Sequence, residues 1–265
     1  MKLTYIGGAL IALMLIAALF APLIATHDPG EMNLPKQFES PSSEHYFGLD
    51  QNGSDIFSRA VYGARISLGV AISVVSVSVL IGLLLGSISG YLEGWPDMLL
   101  MRFIDMLHAF PGFLLAIALV AVLGPSIKNL IFAMCLTGWT GYARLVRAEI
   151  LHLKQRDYVL AARATGAGPV RVVLLHLWPN LVGPLTVQAT FGMAGTILTE
   201  SGLSFLGLGA PPSEPTWGSL LNAGRRALVE APHLSLFPGL AIFLLVLGFN
   251  LFGDGLRDLL DPKKT

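Results

Sequence analysis

The amino-acid sequence predicts an all-α polytopic membrane protein with six transmembrane helices, on three observations. The chain is 54% hydrophobic and only 13% charged, about half the charge that a soluble domain carries. Its charges cluster, leaving apolar windows close to the roughly 20 residues a helix needs to cross a hydrocarbon core about 30 Å thick. The clusters also differ in sign, one polar segment being basic and another acidic. Because 17 Lys and Arg balance 17 Asp and Glu, there is no general basicity to hold a nucleic-acid backbone.

The first window covers residues 3–26. Its charge-free stretch 3–20 exceeds the about 7–15 residues of a secretory signal core, so residues 1–27 are read as an uncleaved anchor. The second window is 66–92 and the third 106–127. The fourth, 129–143, has 15 charge-free residues and spans if Arg144 and Arg147 snorkel to the interface. The fifth lies within 172–199, starting after Pro179, and the sixth within 231–253. Residues 28–65 form an extracytoplasmic connection, 66–253 the transmembrane core with a cytoplasmic segment at 150–180, and 254–265 a tail.

Orientation follows from the basic residues. The segment between the fourth and fifth windows carries Arg144, Arg147, Lys154, Arg156, Arg163 and Arg171 against Glu149 and Asp157, and the tail adds Arg257, Lys263 and Lys264. The segment between the first and second windows is mainly acidic, with Asp28, Glu31, Glu39, Glu44, Asp50 and Asp55. Both termini are therefore expected inside.

Several function classes lose their chemistry. None of the six lysines follows a glycine, so there is no GxxxxGK[ST] phosphate loop. The histidines never form HExxH, and no GxSxG elbow occurs. The single Cys135, in an apolar run, excludes a disulfide framework and is read as a packed hydrophobe. A secondary carrier would show an internal repeat and mid-membrane charges. The nearest residues, Asp105 and His108, read as an interfacial helix end with Asp105 paired to Arg102 at i, i+3, and Glu200 also reads as interfacial. Phe103, Phe110 and Phe113 are expected to pack between helices rather than line a route.

The run from Asp157 to Pro169 reads as a short helix in the cytoplasmic segment. Asp157 is a good N-cap, Ala161, Ala162 and Ala164 are strong helix formers, and Gly166 with Gly168-Pro169 stops it. Small side chains let a foreign surface approach its backbone, with Arg156, Arg163 and Arg171 at the rim. A docking element and an ordinary solvated connection both fit these residues.

The run Leu160-Ala161-Ala162, then Gly166, then Trp178-Pro179-Asn180 resembles the EAA signature of ABC-importer permease subunits, with Leu160 standing where the signature has Glu. Segments 48–59, 62–65, Phe110-Pro111, 202–209, Trp217-Gly218 and 249–258 are similar to the dipeptide, oligopeptide and nickel permeases of that superfamily, and the layout resembles their C-type subunit. The resemblance implies the type I ABC importer permease fold, with Asp157, Leu160, Ala161, Ala162, Arg163 and Gly166 on a coupling helix that rests in a groove of the ATPase. It implies a second homologous permease, two ATP-binding subunits and an extracytoplasmic solute-binding protein as partners. Membrane lipid would surround the chain in the inner membrane, with no nucleic acid, cofactor, metal or catalytic residue. The expected solute is a dipeptide or oligopeptide. The alternatives are nickel or another chelated metal in the same family and, further off, a self-contained secondary carrier.

Overall fold

The computed structural model describes residues 2–211 and 214–260. Lys263 and Lys264 lie outside them. The regular structure of the described residues is helical, with no strand beyond a bridge between Leu49 and Asp55.

Helix α1 (Lys2–Leu19) runs into a short turn at Ala21–Ile24. Helix α2 (Ile56–Leu92) starts ahead of the expected boundary at 66, because the Asp55 carboxylate accepts from the Ser58 N–H and caps it there. At 1.5 Å per residue it is about 55 Å long, so it projects beyond a bilayer core. The single span expected over 106–127 is instead two helices, α3 (Gly94–His108) and α4 (Gly112–Leu123), meeting at 78°. Pro111 brings no N–H and disfavours helical backbone at Phe110, which breaks the rod there.

Helix α5 (Ile127–Leu153) is capped by Ser126 and continues well past the expected end at 143. The arginines that marked that end find carboxylates on α3. Arg147 grips Asp97 through two bonds of 2.5 and 2.6 Å, and Arg144 donates to Asp105 at 2.8 Å. Asp105 is therefore paired with Arg144, not with Arg102.

Helix α6 (Asp157–Ala164) follows. The chain then re-enters through a turn at Pro169–Val172, one π-helical turn at Val173–Leu177, and helix α7 (Trp178–Phe205). The fifth rod thus begins at Pro169, before Pro179 rather than after it. Pro179 has no N–H to give the turn below, and the wide turn beside it absorbs the mismatch, with the Trp178 N–H reaching back to the Val173 carbonyl. Helix α8 (Trp217–Gly224) opens on a capping box of Thr216 and Ser219. Helix α9 (His233–Leu260) closes the described chain.

By length and apolarity three rods, 56–92, 169–205 and 233–260, are able to cross a membrane alone, and the bent α3–α4 pair makes a fourth. The apolar part of α1 is shorter, and α5 carries charge near its end. On these measures four of the six expected spans qualify.

The most extensive packing joins α2 to α5, followed by α1 to α9 and α9 to α7. Gly82, Gly86 and Gly90 make the α2–α5 approach close. A Cβ on Gly86 would lie 2.5 Å from the Ala143 carbonyl, and one on Gly90 2.9 Å from that of Arg147. Glycines four apart line one helix face, the small-residue pattern by which helices pack closely in lipid.

Candidate functional site

Helix α6 is eight residues long, too short to be stable alone in water. It is held by Val159, the buried residue of the helix, which is 0% exposed. Val159 packs into a cluster with Val146 and Ile150 of α5, Leu177 and Leu181 of the α7 rod, and Val172. The other side of α6 faces outward: Tyr158 and Leu160 are 44% and 48% exposed, and Asp157, Ala161 and Arg163 are exposed with Ala162 half-buried. Asp157 is the first helical residue rather than the cap, since Arg156 occupies the cap position with no side-chain bond. There its charge still complements the positive helix end.

The stop is a Schellman motif. The Ala167 N–H reaches the Ala162 carbonyl, the Gly166 N–H reaches that of Arg163, and Gly166 sits at φ +88°. A side chain at Gly166 would meet nothing within 4 Å, so its constraint is the left-handed backbone, not space.

The bundle end above α6 is riveted by ion pairs. Besides Arg147–Asp97, Lys154 pairs with Glu93 and donates to the Gly90 carbonyl at 3.2 Å, and Ser89 donates to Asp97. Burial, and behind it the charge of Arg163, holds the Lys154 ammonium below its ordinary value. Leu160 and Arg163 border a recess of about 380 Å³ with Tyr91, Glu93 and Lys154. Trp178 ties the α7 rod to α2 through a 2.9 Å bond from its indole N–H to Ser87 Oγ. One end of the molecule thus joins α6 to α2, α3, α5 and α7.

Deeper between α2, α4, α5 and α7 lies a cavity of about 340 Å³, with Ser78, Thr137, Gln188 and Thr196 among its polar walls and Gly138 and Gly192 among its small ones. The Ser78 and Tyr142 hydroxyls at this cavity are buried without a hydrogen-bond partner. Among the described residues its lining has no His, Cys or carboxylate. Phe113, expected to pack between helices, lies against Gly202 of α7 and also borders the cavity, and Phe103 stacks on Trp139 with ring centroids 6.3 Å apart.

Glu200, expected at the interface, is enclosed within the bundle. It is 1% exposed and accepts from Ser204 Oγ at 2.7 Å and Ser67 Oγ at 3.1 Å, which locks α7 to α2 near the far end of the bundle. Sequence reading missed it because its partner Ser67 lies on another helix. Nearby, Trp217 is buried and donates its indole N–H to the Ala60 carbonyl at 2.9 Å, while Gly218 lets α8 press onto Ser201. The glycine row at 82, 86 and 90 was also missed, although its spacing was visible. Cys135 packs against the apolar cluster around Val74 and Met134, as a small hydrophobe should.

Comparison with known proteins completes this picture. A family model described as "binding-protein-dependent transport system inner membrane component" matches residues 82–265, and one described as "N-terminal TM domain of oligopeptide transport permease C" matches residues 2–41. The chain is 44% identical over 262 residues to the dipeptide transport system permease protein DppC of Alkalihalophilus pseudofirmus, covering 99% of this chain and 86% of that protein. It is 45% identical over 258 residues to the glutathione transport system permease protein GsiD of Pectobacterium atrosepticum, covering 97% and 86%. It is also 47% identical over 254 residues to an Escherichia coli GsiD, covering 96% and 84%. An all-helical bundle that presents a short outward-facing helix between two long rods, and matches these models over both its parts, is a permease: the chain belongs to the family of binding-protein-dependent transport system inner membrane components, with the ABC-importer permease fold.

Proposed function

We propose that this subunit carries short peptides across the inner membrane and that α6 is its coupling helix. The observation that carries the reading is the two-sidedness of α6. Val159 fixes it to α5 and the α7 rod, while Tyr158, Leu160, Ala161 and Arg163 are left for another surface. A push on such an element passes into both rods as a rigid-body movement, and ATP-binding subunits that prefer one permease conformation would shift the equilibrium by that difference in affinity. Two ATP-binding subunits below, a second homologous permease beside it and a solute-binding protein above complete the assembly, with both termini cytoplasmic. The chain contributes transport, not ATP hydrolysis, in keeping with its lack of a phosphate loop.

The cavity under Ser78 and Tyr142 is this chain's share of the path. Its hydroxyls, a glutamine amide and bare glycine backbone suit peptide groups, and it has no imidazole, thiol or carboxylate to hold a bare metal ion. That chemistry, with relatives named for dipeptide and glutathione transport, favours a peptide over nickel. The test is purification of the tagged chain in mild detergent, identification of co-purifying proteins and an ATPase assay. Recovery of a second permease and P-loop subunits, with activity stimulated by a peptide-loaded binding protein, is expected. A lone, inactive chain would overturn the reading.

A further inference from the structure

Helix α2 has its far end, at Ile56, about 55 Å from the end near α6. There, two histidines and a carboxylate converge from segments distant in sequence. One candidate ligand atom each from His27, Glu44 and His45 lies within 4.8 Å of the other two, and the imidazole centroids are 4.5 Å apart. All three line a recess of about 100 Å³, which also carries Asp28, Glu31 and Asp55 against a single Lys36. The recess is therefore acidic and suited to a cation.

Its inner wall orients the ligands. His45 is buried, and its Nδ1 lies 3.0 Å from Asp55 Oδ1. A carboxylate there fixes the proton on Nδ1 and leaves the Nε2 lone pair free, the support that metal-ligating histidines ordinarily receive. Asp55 Oδ2 is meanwhile held by the Ser58 N–H at 2.8 Å, so the carboxylate cannot swing away. His27 is placed by its own backbone, whose N–H donates to Ser58 Oγ at 3.0 Å, and its Nδ1 lies 3.0 Å from Thr26 Oγ1. Glu44 is the exposed member: its side chain is 68% exposed and lies 4.0 Å from Lys36 Nζ, a weak pair that a doubly charged ion would displace.

We infer that His27, His45 and Glu44 form a binding site for a divalent transition-metal ion of the zinc class, which pins the 28–55 connection to the head of α2. Two imidazoles and one carboxylate are a three-ligand zinc set that leaves a fourth position for water. Tetrahedral ligands at about 2.0–2.1 Å from the ion sit about 3.3 Å apart, so the donors must draw in by up to about 1.5 Å, a movement the exposed Glu44 can supply. Nitrogen donors select against Ca²⁺ and Mg²⁺, which take oxygen ligands. The ion acts here as a clasp, not as cargo, because the site is remote from the cavity between the helices.

The test is equilibrium dialysis of the purified full chain against Zn²⁺, read by elemental analysis, beside His27→Gln and Glu44→Gln variants. Both substitutions are partly or largely exposed and leave the His45–Asp55 bond in place. One Zn²⁺ per chain is expected, bound at least tenfold more weakly in each variant, and with hydrogen exchange over residues 27–58 slowed by Zn²⁺ in the parent but not in His27→Gln. Equal Zn²⁺ binding in parent and variants, or exchange in that segment indifferent to Zn²⁺, would overturn the assignment, as would Ca²⁺ or Mg²⁺ competing at equal concentration.

Discussion

Val159→Ala is the most informative substitution the structure offers. Val159 is fully buried and is the anchor of an eight-residue helix. On the proposal that α6 is a cytoplasmic coupling helix, water is the reference solvent for its burial. Removing two methyl-sized groups there costs about 0.8 kcal/mol each in transfer, and the cavity left behind brings the total to about 2 kcal/mol. That is a roughly 30-fold fall in the docked population of α6. The assay is hydrogen exchange of amides 157–167 in the assembled complex, with the ratio of ATP hydrolysed to solute transported measured on the same preparation. Faster exchange confined to α6 is expected, together with more ATP hydrolysed per solute. Tyr158→Ala, half-exposed on the same helix, should leave exchange unchanged in the isolated chain while weakening ATPase attachment. If Val159→Ala left both exchange and the coupling ratio at parental values, the single-anchor account of α6 would be refuted.

Other outcomes follow from the same geometry. Gly166→Trp and Ala162→Arg should insert and accumulate normally yet hydrolyse ATP without uptake, and normal uptake at unchanged protein level would count against α6 as the docking element. Gly86→Leu should lower the unfolding temperature in detergent sharply, because its side chain would enter the α5 backbone, whereas Gly69→Leu, with nothing within 4 Å of its Cβ, should not. Asp97→Asn should cost about 1 kcal/mol, given that the Arg147 pair is partly solvated; the exchanged pair Asp97→Arg with Arg147→Asp should recover part of it in the same thermal assay.

What could be read from the linear chain, and what could not, divides along a physical line. Apolar windows and helix-forming runs are local, so the rods and α6 were visible, as was the stop at Gly166. The errors came from partners remote in sequence. Asp105 was assigned to Arg102 because its partner Arg144, like the Arg147 that pairs with Asp97, lies on another helix. The burial of Glu200 was hidden because its serine shell comes partly from α2. The 78° break at Pro111 was local, and a charge-free window alone could not register it. Of the candidate site, the helix α6 was legible by residue type and spacing, but which residue faced inward was not: Val159 makes the contact with the bundle.

The wide turn at Val173–Leu177 has a bearing on how this chain tolerates changes in length. It holds one residue more than the ordinary helix needs, so it is a store of slack in the backbone. Losing one residue there would let the turn wind tight without breaking the rod, because four α-helical residues turn through about 400°, nearly the rotation of the five in the wide turn. Pro169 and the attached α6 would keep their place around the axis, and the exposed face of α6 its aim. A one-residue deletion in this stretch therefore leaves the docking face in register, whereas the same deletion within Ile56–Leu92, which has no such slack, would rotate one part of the helix by about 100° and throw the glycine row out of line.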